Sequence, residues 1–146
     1  VDKDLRQCLA TAVCAGIDRA HGEARWGRDD CALWVADIIS DALGYDPAAR
    51  WRGYVDRDGA ATAVGALGLG MAIRSAAKQF GWRRIAPAAG DVGDVGVTPA
   101  PAAIDGRIER RLTTFICRAP GWWVARSERG FFAIESAGIK FAWAVV

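Results

Sequence analysis

Apolar side chains recur along the first twenty residues at Leu5, Leu9, Val13 and Ile17, with Ala12, Gly16 and Ala20 beside them. A spacing of three to four residues predicts an amphipathic helix over 4–20. The stretch His21-Gly22-Glu23-Ala24-Arg25 breaks the period and reads as a loop. Asp29 or Asp30 then caps a second helix, whose core face carries Leu33, Val35, Ile38, Ile39, Ala42 and Leu43, with Gly44 as its natural stop. Asp46-Pro47 opens a turn, and 48–54 reads as irregular or as a short helical turn. Residues 59–67 and 70–80 are rich in Ala and Leu and predict two short helices, punctuated by Gly65, Gly68 and Gly70.

The pattern then changes. A short strand is expected at 94–97. The segment 98–110, with Pro99, Pro101 and Gly106, reads as an exposed loop. Strands follow at 112–118, 121–126, 130–135 and 139–145, separated by Gly121, Gly130 and Gly138. Helices first and strands afterwards indicate an α+β fold, with N-terminal helices packed on a C-terminal antiparallel sheet. No internal repeat is present beyond the local pair Gly90-Asp91-Val92 and Gly93-Asp94-Val95.

Composition narrows the classes. A chain of 146 residues, 52% hydrophobic and 25% charged, suits one soluble domain, 1–146, able to bury a core without staples. The formal net charge of +2 makes no electrostatic case for nucleic acid or an anionic membrane as partner. No apolar run reaches the ~20 residues of a membrane span. The opening Val1-Asp2-Lys3-Asp4-Leu5 lacks the basic-then-apolar pattern of a secretion signal. Cys8 and Cys14 fall in one helix, ~9 Å apart along its axis and on different faces, too far for a disulfide. Reduced thiols are therefore expected, as in a cytoplasm. One histidine and scattered cysteines supply no metal-ligand cluster, and no cofactor is expected. Gly65-Ala66-Leu67-Gly68-Leu69-Gly70 is not a phosphate loop: it lies between helices and no Lys-Ser/Thr follows it.

Cys31 is the residue with chemical promise. It opens the second helix, where free N–H groups and the positive dipole end favour a thiolate and could hold an oxyanion. The plain alternative is a small core residue in an amphipathic helix. Its surroundings favour the nucleophile. Trp26-Gly27, two residues, Asp30-Cys31 and an apolar helix resemble the W-G-x-x-D-C-S-G motif of NlpC-type, papain-like cysteine peptidases, with Ala32 and Leu33 in place of the small residues. Gly93-Asp94-Val95-Gly96-Val97 resembles the family's G-D-L-V-F strand, and Thr113-Thr114-Phe115-Ile116-Cys117-Arg118 takes the place of H-V-G-I-Y-L. The chain is also similar to small NlpC-like proteins of phage and prophage tail modules, through Asp46-Pro47-Ala48-Ala49-Arg50-Trp51-Arg52-Gly53 and Ala142-Trp143-Ala144-Val145.

The resemblance implies a papain-like fold and a catalytic set of cysteine, histidine and a third polar residue. Cys31 is the nucleophile of that set if the protein is active. Thr113 stands at the histidine position, and a threonine cannot act as a base near neutral pH. The third polar group would fall near Arg126 or Ser127. His21, the only histidine, is the one remaining imidazole base, although a loop histidine ten residues before the cysteine ordinarily faces solvent. Asp29 and Asp30 are helix caps, and their charge opposes a thiolate. Cys117 reads as core.

Trp26, Trp34, Trp51 and Trp82 are expected in the core and at the cleft rim. Trp122-Trp123 and Phe131-Phe132 place rings on both sheet faces, one of them exposed unless covered. Trp26, Asp30, Trp122 and Trp123 are thus the binding residues expected from sequence. Two functions follow from the resemblance. One is a phage or prophage tail-tip component with an impaired catalytic set. Such a component is assembled in the bacterial cytoplasm, carried in the virion, and partnered by other tail-tip or baseplate proteins and by peptidoglycan. The other is an active cysteine endopeptidase or amidase cleaving peptidoglycan stem peptides.

Overall fold

A computed structural model describes residues 2–20, 22–65, 68–104, 106–128 and 130–146. The architecture is α+β, with helices in the N-terminal half and an antiparallel sheet in the C-terminal half. The helices are α1 (Asp2–Arg19), α2 (Cys31–Leu43), α3 (Arg57–Val64) and α4 (Gly68–Phe80). The strands are β1 (Arg83–Ile85), β2 (Val95–Ile104), β3 (Arg107–Ala119), β4 (Trp122–Ser127), β5 (Gly130–Glu135) and β6 (Phe141–Ala144), in the spatial order β1-β6-β2-β3-β4-β5.

α2 begins and ends where its caps dictate. The Asp30 carboxylate accepts from Leu33 N, and Gly44 closes the helix in the left-handed region at φ 78°. Its side chains are buried on more than one face: Trp34 and Ala36 are buried as well as Leu33, Val35, Ile38 and Ile39. A helix so enclosed is a central element, and α2 packs against both α1 and β3. The core on this side joins Leu9 and Val13 of α1 and Ile38 of α2 to Val95, Ile116 and Val124 of the sheet.

The second face of the sheet is also covered. Phe115, Cys117, Trp123, Ala125 and Ala142 form a smaller core there with Ile139. The turn Pro87–Gly90 lies directly on the Trp123 ring, so a Cβ at Gly90 would meet the ring at 2.4 Å. The Trp123 Nε1 donates to Ser136 Oγ at 3.0 Å. Phe132 meets Phe115 edge to face on this side, while Phe131 packs against Trp34 on the helical side. The rings expected to leave one sheet face exposed are therefore divided between two cores. Trp122 remains 50% exposed, and Trp123 is fully buried.

The segment 98–110 is not a loop. β2 and β3 pair without a break from Val95↔Ile116 to Ile104↔Arg107, a long two-stranded ribbon. Only Val95–Val97 of β2 also pair with β6, and only Ile116–Ala119 of β3 with β4. Beyond those points the ribbon has no third strand, and Pro99 and Pro101 are tolerated because an edge needs no inward N–H donor. The three-residue β1 falls between expected elements and has too little pattern to read from sequence.

The Gly93-Asp94-Val95 segment has a structural job. The Asp94 carboxylate is 1% exposed and takes a 2.6 Å salt bridge from Arg6 on α1, with further bonds from Asp91 N and Val145 N. Arg6 also donates to Val92 O at 2.9 Å. One buried charge thus ties the first helix, the turn before β2 and the C-terminal strand. Removing one partner of such a pair leaves the other uncompensated and typically costs ~3 kcal/mol or more. Asp94→Ala is expected to lose about 3 kcal/mol, roughly 6–12 °C in Tm for a domain of this size. A urea or thermal melt within 0.5 kcal/mol of the parent would show that the clamp is not needed.

Candidate functional site

Cys31 is the first residue of α2, and the face of that helix meets β3. Its position is built by the loop before it. Gly27 has φ +82°, and a Cβ there would come within 1.8 Å of the Tyr54 carbonyl oxygen. Only glycine fits both the backbone angle and the space. The Gly27 N–H donates to Asp30 Oδ2 at 2.9 Å, and the Tyr54 hydroxyl donates to the same oxygen at 2.8 Å. Asp30 Oδ1 accepts from Leu33 N at 3.2 Å. The W-G-x-x-D-C run is therefore a folded unit: a glycine where the chain passes Tyr54, an aspartate that holds glycine, tyrosine and helix start together, and a cysteine immediately after.

The Asp46-to-Gly53 stretch brings Tyr54 to this place. Arg52 Nε bonds Asp46 Oδ2 at 2.6 Å, and its NH2 bonds Asp37 Oδ1 of α2 at 2.6 Å. Asp46 Oδ1 accepts from Ala48 N at 2.9 Å, just ahead of the turn Ala49–Trp51. Burial, together with the charge and hydrogen bond of Tyr54's neighbour Asp30, holds the Tyr54 phenol well above the usual tyrosine range, so this hydroxyl is a donor and not a base. Sequence reasoning missed Tyr54, which directly follows the quoted stretch but carries no motif signal of its own.

The residue of β3 that meets the cysteine is Thr114, not Thr113. Thr113 shares a strand face with Phe115 and Cys117, and its hydroxyl donates to Arg111 O at 3.0 Å. Thr114, 3% exposed, alternates to the helical side with Ile116, and its main chain and hydroxyl lie against the Cys31 sulfur. Strand alternation held the signal: Ile116 packs on the helices, so its even-numbered neighbour must do the same. The Thr114 hydroxyl points its donor toward the Cys31 sulfur, which favours the thiolate, and Oγ1 makes no well-formed hydrogen bond among the described residues.

Arg126 on β4 is the other polar group on this face. Its side chain is fully buried, and its guanidinium donates to Gly22 O at 2.8 Å, to Gly130 O at 3.0 Å and to Asp29 Oδ2 at 3.4 Å, with the Phe131 ring 5.2 Å away. It fastens the loop before Cys31 onto the β4–β5 hairpin, and Ala24 N adds a bond to Glu128 O. Carrying the Ile116↔Val124 register on by two residues would set Thr114 across from Arg126. Arg126 Nε and Thr114 Oγ1 are the two buried side-chain atoms left without a partner among the described residues. His21 lies outside the described residues. Trp26 is 43% exposed at the rim, Trp51 is half-buried beside it, and Trp34 and Trp82 are core. Trp122 and Trp123 lie outside the lining of the cavity at Cys31.

Electrostatically the thiol is quiet. Cys31 is partly exposed, yet enough protein surrounds it that burial pushes its thiol up to about 11; Asp30 adds to the rise, and Thr114 and the Ala32 N–H oppose it. Cys117 is also pushed up, to about 12, first by burial and then by Asp94 and Asp91. All four cysteines are free thiols. Among the described residues no three His, Cys, Asp or Glu side chains gather to hold a metal, and no single helix is long and apolar enough to cross a membrane.

Residues 6–145 match the family described as a domain of unknown function, DUF6950. The chain belongs to that family. The match takes in every element from Arg6 of α1 to the end of β6, and therefore the whole Cys31 site. No curated protein and no solved structure matches the chain.

Two outcomes follow from the geometry. A rise from 9.0 to about 11 lowers the thiolate fraction about a hundredfold near neutral pH. Iodoacetamide labelling of Cys31, followed by peptide mass spectrometry, should be about a hundredfold slower in the folded than in the urea-unfolded chain at pH 8. It should also still be rising with pH above 10; a plateau below pH 9 would contradict the buried neutral thiol. The folded chain holds this proton more tightly than the unfolded one, so the stabilisation is complete below pH 9 and is lost as pH rises through 11. Separately, Gly27→Ala is expected to cost ~3 kcal/mol or more, from the strained angle and the backbone clash together. Gly22→Ala, at φ +67° with no atom within 4 Å of its Cβ among the described residues, should cost only ~1 kcal/mol. Equal melting temperatures for the two variants would refute the close approach of Tyr54.

Proposed function

We propose that this chain is an NlpC-like component of a phage or prophage tail tip, with a papain-like arrangement of elements and an impaired catalytic set. It serves cell-wall penetration or tail assembly as a structural part rather than as a hydrolase. The observation that carries the impairment is the pairing of Cys31 with Thr114: a thiol pushed up to about 11 faces a hydroxyl where a peptidase of this kind needs an imidazole. The likeness in arrangement rests on a cysteine at the N-terminal end of a helix that packs on the strand after the Gly93-Asp94-Val95 segment, with the next polar residue, Arg126, on the neighbouring strand. Arg126 cannot do the work of a base-orienting group, because a guanidinium only donates and stays charged. Asp30, the nearest carboxylate, is committed to three donors. The tail setting comes from the resemblance in the Asp46–Gly53 and Ala142–Val145 stretches.

Losing positioned acid–base help costs ~10²–10⁴ in rate. Release of soluble peptides from purified bacterial cell walls should therefore be the same for the chain and for Cys31→Ala. Robust release that Cys31→Ala abolishes would overturn the impaired reading, and its parallel loss in His21→Ala would identify His21 as the base. Mass spectrometry of particles purified from a host carrying the gene should find the chain in the tail fraction; its absence there would count against the tail assignment.

A further inference from the structure

Beside Cys31 opens a cavity of about 320 Å³ that the catalytic question leaves unused. It follows α2 from Cys31 to Ile39 and α4 from Leu69 to Ala76. At ~1.5 Å rise per residue these walls are roughly 10–12 Å long, so the space is a slot and not a bowl. Its walls are mostly aliphatic, with the rings of Trp51 and Trp82 among them, and small residues, Ala36, Ala72 and Ala76, leave the room. Cys31, Tyr54 and Thr114 border it near the start of α2, beside the Asp30 carboxylate with its three donors, and Arg57 and Arg111 also stand in the lining. The cavity opens to solvent, since the exposed Trp26 and Ala61 stand in its lining. An apolar cavity does not hold water well, while a volume near 300 Å³ with few polar groups is that of a small-molecule site.

We propose that the slot binds a single unbranched aliphatic chain of about ten carbons whose oxygen-bearing head lies at Thr114. At ~30 Å³ for a methylene-sized group, taken as similar to a water's share of the liquid, the cavity holds roughly ten of them. The elongated shape selects a chain over a ring system. The independent observation is the hydroxyl of Thr114: it is 3% exposed, borders the cavity, and beyond its contact with the Cys31 sulfur makes no well-formed hydrogen bond among the described residues. A carboxylate or carbonyl oxygen would accept from it. Cys31 contributes its weakly polar sulfur to the same end of the slot, with no covalent step. The assignment is independent of whether Cys31 hydrolyses anything.

The test is calorimetric titration of the purified chain with n-alkanoic acids of six to sixteen carbons, each below its micelle concentration. Affinity should rise about fourfold per added methylene up to about ten carbons and then level off. Thr114→Val should weaken decanoate about tenfold and leave n-decane binding unchanged, because only the acid has a head for the hydroxyl to hold. Ala72→Phe fills the slot and should abolish decanoate binding with no fall in melting temperature. If that variant melts lower, Ala61→Trp, at an exposed position on the α3 wall, replaces it. No saturable binding, or binding without dependence on chain length, overturns the proposal. An equal loss of acid and alkane in Thr114→Val overturns the placement of the head.

Discussion

The carboxylate of Asp30 accepts from the Gly27 N–H, the Leu33 N–H and the Tyr54 hydroxyl, and it does so while 7% exposed. Each donor belongs to a different piece of chain: the approach loop, the first turn of α2, and the segment anchored by Arg52. A buried carboxylate left without partners would be far too costly to keep, so these pieces are held to one arrangement by the same group. That arrangement fixes where α2 starts and therefore where Cys31 stands. It also sets the Gly27 requirement, because Tyr54 can donate to Asp30 only if its own main chain passes against the glycine.

The same group also weighs on the thiol beside it. The N-terminal end of a helix favours a thiolate by ~0.3–1 kcal/mol at ordinary exposure. Burial and the Asp30 charge act the other way, and a rise from 9.0 to about 11 corresponds to about 3 kcal/mol. The larger effect wins, and the cysteine stays protonated. A helix start is thus not enough to make a nucleophile. An imidazolium opposite the sulfur would reverse the balance, and the strand offers Thr114 instead. The carboxylate that assembles the cysteine's setting thus adds to a rise whose larger cause is burial.

The fold was legible in the sequence wherever period and caps agreed. α2 could be placed to within a residue at its start, because Asp29 or Asp30 and then Gly44 bracket an apolar run, and the late strands because Gly121, Gly130 and Gly138 separate them. The ribbon at 98–110 was not legible: Pro99 and Pro101 argue for a loop, and only the free edge of β2 makes them compatible with a strand. The fate of the paired aromatics depended on a cover that no local pattern encodes, namely the turn at Pro87–Gly90 laid over Trp123. At the site, Cys31 and Asp30 were legible as adjacent residues of one motif. Thr114, Tyr54 and Arg126 come from three other segments, and a one-residue choice on a strand reverses which side chain meets the sulfur.

Arg126 is the other buried polar side chain beside the Cys31 site. A guanidinium with no exposure is expensive unless every donor is used, and here Nε is left over while the others hold Gly22, Asp29 and Gly130. The bonds it does make are to main chain and to the Asp29 side chain, so its work is to seat the loop that precedes Cys31 on the β4–β5 hairpin. A polar position on the neighbouring strand thereby serves to shape the cleft without titrating in it. In the cavity itself the thiol and the Thr114 hydroxyl stand beside the Asp30 carboxylate, which is already taken up by three donors. On the readings proposed above, such a cleft holds an oxygen-bearing ligand in place and takes no proton from a nucleophile.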